Sequence, residues 1–120
     1  EKMNTENNKI IAEFMGNRNY LYNNDKSAMY FILTNTAGEE LIVNYNNDWG
    51  LLMEVVEKIE SLGNYVNITG TYVSIGAIEQ KDRLFFIEKD SLNNKIESTY
   101  NACLEFIKWY NNKNLSINNK

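Results

Sequence analysis

Glu79-Gln80-Lys81 matches the E-x-K half of a metal-dependent nuclease or phosphodiesterase site. In such a site the glutamate holds a divalent cation and the lysine supports the attacking water. The chemistry also needs an aspartate on a neighbouring strand. Asp48 opens a helical pattern instead, and the stretch from Glu79 to Arg83 reads equally well as a charged hairpin turn. Glu54, Glu57 and Glu60 are a second acidic group, spaced i, i+3 and i+6. Catalysis by paired carboxylates needs convergence in a cleft and separated pKa values. This spacing lays them along the outer side of an amphipathic helix, so a solvated face is expected. Cys103 is the single cysteine, and the chain has no histidine to activate it. It falls on the apolar side of a helical pattern, where a free cysteine behaves as a small hydrophobe. These residues cannot supply the usual zinc ligands. The reading is of a protein that is not an enzyme and has no cofactor or metal.

Binding chemistry is better represented. Arg18, Tyr20, Tyr22 and Lys26 fall in one Asn-rich stretch, and Arg83 adds a further cation. Arginine and tyrosine together can stack on bases and grip phosphate, so these five residues form the candidate ligand pocket. The alternative is that Tyr20 and Tyr22 simply pack their loop onto the body. Trp109 and Tyr110, late in the last helical pattern, either finish the core or meet a second subunit.

Composition limits the partners. Net charge is −4 and the pI about 4.9. That argues against an extended nucleic-acid surface, whose affinity comes from Lys and Arg neutralising phosphates. No apolar run approaches the roughly 20 residues of a membrane span, and no signal-peptide pattern is visible. One cysteine allows no intrachain disulfide, which suits a reducing cytoplasm. A length of 120 residues fits one domain, 1–120, with an ordered core over about 5–111 and a polar tail over 112–120.

The elements that would position these residues follow from periodicity. Residues 5–15 read as a helix capped by Thr5 and ended by Gly16, and residues 17–27 as a loop. Ala28–Thr34 and Glu40–Tyr45 read as a strand pair. Asp48 caps a second helix on which Leu52, Val55, Val56, Ile59 and Leu62 repeat at helical spacing, ending at Gly63. Glu54 and Lys58 stand as an i,i+4 ion pair. Tyr65–Glu79 reads as two strands turning near Gly70, and Leu84–Glu88 as a fifth. Asn94 and Glu97 form a capping-box pattern that opens the third helix. The order is α-β-β-α-β-β-β-α. Because the strands are apolar on both sides, the expected fold is α+β or α/β, with a mixed five-stranded sheet covered by helices on both faces.

The blocks IAEFMG (Ile11–Gly16), LLMEVVEKIESLG (Leu51–Gly63) and NKIESTYNACLEFIKWYN (Asn94–Asn111) resemble a family of small uncharacterised phage and prophage proteins, mainly of Bacteroidetes phages, described as a phage α/β/α-sandwich domain. Leu51 stands where that family usually has tryptophan, and Glu54 where it usually has proline. The resemblance implies a phage gene and a layered fold, and no reaction. The expectation is a small non-catalytic accessory protein in the cytoplasm of a bacterial host, acting as a homo-oligomer. It would antagonise host defence, by sequestering a nucleotide signal or by occluding a host protein. The alternatives are the nuclease built on Glu79 and Lys81, or a virion structural or assembly protein.

Overall fold

Asp48 starts the best-defined helix. In the computed structural model its backbone is extended (φ −125°, ψ 104°), and its side-chain Oδ1 accepts from the Leu51 N–H at 3.0 Å. That satisfies one of the orphan donors at a helix start. The helix, Trp49–Ser61, buries Leu52, Val55, Val56 and Ile59 along one stripe. Gly63, at φ +93°, donates its N–H to the Glu60 carbonyl at 3.0 Å. Asn64 then turns its side-chain amide onto the Ile59 carbonyl at 2.9 Å. A side chain thus satisfies the carbonyl that a backbone N–H usually takes at such an end.

The structure describes residues 2–17, 20–22, 29–34, 37–77, 86–90 and 94–118. In chain order these form α1 (Lys2–Phe14), β1 (Tyr20–Tyr22), β2 (Met29–Thr34), β3 (Glu40–Ile42), α2 (Trp49–Ser61), β4 (Asn64–Thr69), β5 (Tyr72–Ala77), β6 (Phe86–Asp90) and α3 (Lys95–Asn118).

The strands do not form the mixed five-stranded sheet read from the sequence. Among the described residues they form two three-stranded sheets, β1-β2-β3 and β4-β5-β6, in which every pairing is antiparallel. The fold is a small α+β one. Two physical reasons account for the difference. Strands joined by hairpins pair antiparallel, and a parallel pair needs a crossover. The single crossover candidate, α2, links β3 to β4, which belong to different sheets. The extra strand, β1, is short and flanked by asparagines, so its pairing of Tyr20 with Phe31 and Tyr22 with Met29 has no local signature.

α1 begins at Lys2, ahead of the expected Thr5 cap. Its end is a Schellman motif. Gly16, at φ +82°, donates to the Glu13 carbonyl at 3.0 Å, and Asn17 donates to the Ala12 carbonyl at 2.9 Å. The Asn17 side chain then reaches the Ile32 carbonyl of β2 at 3.1 Å. α3 opens on Asn94, whose Oδ1 accepts from the Ile96 and Glu97 N–H groups at 3.0 and 3.3 Å. It continues to Asn118, past residue 111 where the polar composition suggested the ordered core stops.

α2 and α3 pack on the second sheet, and α1 packs between α3 and β2. The core they enclose centres on Ile11, Leu52, Val55, Ile59, Val73, Ile75, Cys103 and Ile107, each at 0% exposure. Burying such a side chain contributes on the order of 1.5–3 kcal/mol. Lys89 of β6 forms an ion pair with Glu105 on α3.

Candidate functional site

Lys58 sits in the last turn of α2, where the sequence placed it opposite Glu54. It turns the other way. Its Nζ donates to the Phe14 carbonyl at the end of α1 and lies 4.7 Å from the centroid of the Phe14 ring. The last carbonyls of a helix are unpaired and carry partial negative charge, which a lysine satisfies. The ring face adds a cation–π contact. Glu54 is left on the exposed side of α2 with Glu57 and Glu60. The hydrophobic ends of this acidic face are Trp49, 39% exposed, and Leu62, 41% exposed.

Phe14 also anchors an aromatic cluster between α1 and α3. Its ring meets Phe106 and Tyr110 edge-on, with centroids 6.3 and 5.8 Å apart. Phe106 stacks on Tyr110 at 5.9 Å and tilts against Trp109 at 5.8 Å. Lys113 lies 5.1 Å from the Trp109 ring centroid. Trp109 and Tyr110, candidates for a subunit contact, are thus half-buried and engaged with their own chain.

A buried polar chain joins three elements. Tyr100 Oη on α3 donates to Asn8 Oδ1 on α1 at 2.9 Å. Asn8 Nδ2 in turn donates to Asn46 Oδ1, between β3 and α2, at 3.0 Å. Burial pushes the Tyr100 hydroxyl up from 10.0 to about 12. Tyr45 rises from 10.0 to about 12 as well, through burial first and then the nearby Glu54 carboxylate. Cys103 is fully enclosed, and burial raises its thiol from 9.0 to about 12. These protons stay on at neutral pH, so none of the three groups is a ready base or nucleophile.

The remaining candidates divide. Tyr20 and Tyr22 belong to β1, at the edge of the first sheet. Arg18, Lys26 and Arg83 lie outside the described residues, as do Glu79 and Lys81 of the nuclease reading. No group of three potential metal ligands occurs among the described residues. No described helix is long and apolar enough to cross a membrane.

Sequence reasoning missed the Asn8 relay and the turn of Lys58. For Asn8 a signal existed. It shares a helix face with Ile11, Ala12 and Met15, and a polar residue on an apolar face needs a partner. For Lys58 there was none, because the position of α1 beside α2 is a tertiary fact. Comparisons with protein-family models, with curated proteins and with solved structures find nothing that matches this chain.

Proposed function

We propose that this chain is a small non-catalytic binding protein that works by occluding a protein partner through the outer face of α2. One observation carries the reading. Trp49 and Leu62 stand exposed at the two ends of α2, with Glu54, Glu57 and Glu60 exposed between them. Exposed aromatic side chains such as Trp49 are favoured anchors at protein contact surfaces. The three glutamates beside it select a basic partner and speed its encounter. Within this reading the protein is a phage accessory factor and the partner belongs to the bacterial host, in line with the resemblance drawn from the sequence.

The test is capture from a bacterial host lysate on immobilised protein, wild type beside Trp49→Ala. Wild type should retain one protein that Trp49→Ala loses, and raised salt should release it. Equal retention by both proteins overturns the α2 surface. A small bound molecule, seen by native mass spectrometry as an added mass in the purified protein, replaces the protein partner with a small ligand.

A further inference from the structure

Among the described residues β4 and β6 form the two edges of the second sheet, and the chain treats them differently. β6 ends in Glu88, Lys89 and Asp90, the charged residues that usually guard a sheet edge. β4 carries Asn64, Tyr65, Val66, Asn67, Ile68 and Thr69, with no charge and no proline. No charged residue occurs from Ser61 to Ile78, in a chain that is 23% charged. β4 pairs with β5 residue for residue from Asn64–Ala77 to Thr69–Tyr72, so no bulge twists the edge away. Among the described residues β4 has no second strand beside it. Its core-side residues Val66 and Ile68 are only half-buried, whereas their β5 partners Ile75 and Val73 are at 0% exposure. The apolar strip reaches the edge and stops there unfinished.

The outward groups follow from hairpin geometry. Gly70, at φ +59°, opens a two-residue turn that closes on Thr69 and Tyr72. The closing pair of such a hairpin exchanges both its hydrogen bonds, and pairs alternate from there. Thr69, Asn67 and Tyr65 therefore bond to β5. Asn64, Val66 and Ile68 turn their N–H and C=O groups outward.

We propose that β4 pairs antiparallel with β4 of a second copy of this chain, the two-fold axis passing beside Val66, so that two sheets become one. The outward groups are symmetric about Val66. In this register Val66 faces its own copy and Asn64 faces the copy's Ile68, and every outward N–H and C=O finds a partner. The contact is isologous, the commonest closed arrangement for a soluble oligomer. An uncharged strand meets an uncharged strand, so no charge on β4 is desolvated. A basic strand from another protein would find no counter-charge on β4. α2 packs on β4, so joining the copies brings two acidic helices to one face. Salt screens that repulsion and tightens the dimer, while it would loosen a basic partner. The dimer stands whether or not α2 binds a partner.

The register makes the test specific. In a hydrogen-bonded pair the facing Cα atoms are about 5.5 Å apart, within disulfide range. Cys103 is buried and does not compete. Val66→Cys should give a linked dimer under mild oxidation. Asn67→Cys should link far more slowly although Asn67 is the more exposed, because its own copy is offset along the strand. Asn67→Lys, at an exposed position that leaves the fold intact, should weaken the dimer at least tenfold in sedimentation, with an unchanged circular dichroism spectrum. Equal linking at the two positions, a wild type that sediments as a monomer at every concentration and salt, or a dimer untouched by Asn67→Lys overturns the proposal.

Discussion

Tyr100 and Asn8 are 92 residues apart in sequence and 2.9 Å apart in the fold, hydroxyl to side-chain carbonyl. Asn8 uses its amide on Asn46, so both ends of a buried polar side chain are satisfied. Tyr100→Phe keeps the ring and removes the donor, leaving Asn8 Oδ1 without it. A buried acceptor left unpaired costs about 1–3 kcal/mol. Urea unfolding should show that loss as a lower midpoint at an unchanged slope. A loss below about 0.5 kcal/mol would mean that water reaches Asn8.

Lys58 caps α1 and does not pair with Glu54. Lys58→Met keeps the hydrophobic stem and removes the charge. It should cost about 1 kcal/mol, the sum expected of a helix-end charge and a cation–π contact. Glu54→Gln should change stability by less than about 0.5 kcal/mol, as for most surface substitutions. Thermal melts of both variants separate this arrangement from the i,i+4 pair, which would make the two losses equal.

Ile59 and Glu57 test the two sides of α2. Ile59 is at 0% exposure beside Leu52 and Val55, and Ile59→Asp buries an unpaired carboxylate. The domain should lose its cooperative melt. Glu57→Gln, on the exposed side, should melt with the wild type; a drop of several degrees would place Glu57 in a contact that the fold depends on.

Alkali should destabilise the protein. Tyr45 and Tyr100 are raised from 10.0 to about 12, and Cys103 from 9.0 to about 12. Between the ordinary and raised values the unfolded chain has released these protons and the native chain still holds them. The unfolded state then binds fewer protons, so stability falls as pH rises. The contribution is whole below pH 9 and is lost progressively up to about pH 12. Melting temperature followed across that window should decline. Glu54→Gln should shift Tyr45 ionisation to lower pH in an ultraviolet titration, since its carboxylate opposes that charge.

The helices were legible because each carries its own punctuation. Asp48 and Gly63 bracket α2, Asn94 opens α3 and Gly16 closes α1, and all four work locally. Five of the six described strands were legible from their apolar runs. The assembly of those strands was not, because MYFILT says that a strand is apolar on both sides without saying what covers it, and YVSIGA shows one apolar face, Val73 and Ile75, without naming its neighbours. At Gly76 the cover is one side chain. The Tyr65 ring lies across it so closely that an added Cβ would fall 2.7–2.9 Å from the ring and its hydroxyl. Of the candidate site, the α2 acids were legible as a face. Leu62, one hydrophobic end of that face, was not, since it fits the core spacing.

The place of α1 between α3 and β2 also sets a schedule for synthesis. α1 leaves the ribosome well before α3, the helix that supplies Tyr100, Phe106 and Tyr110 to it. Until then Asn8 has no tyrosine donor and the Phe14 ring has no aromatic neighbours from α3. The core cannot close stepwise from α1 onward. It is completed only when α3 is free of the exit tunnel, so a truncation within α3 leaves the contacts of α1 unmade rather than giving a shortened domain.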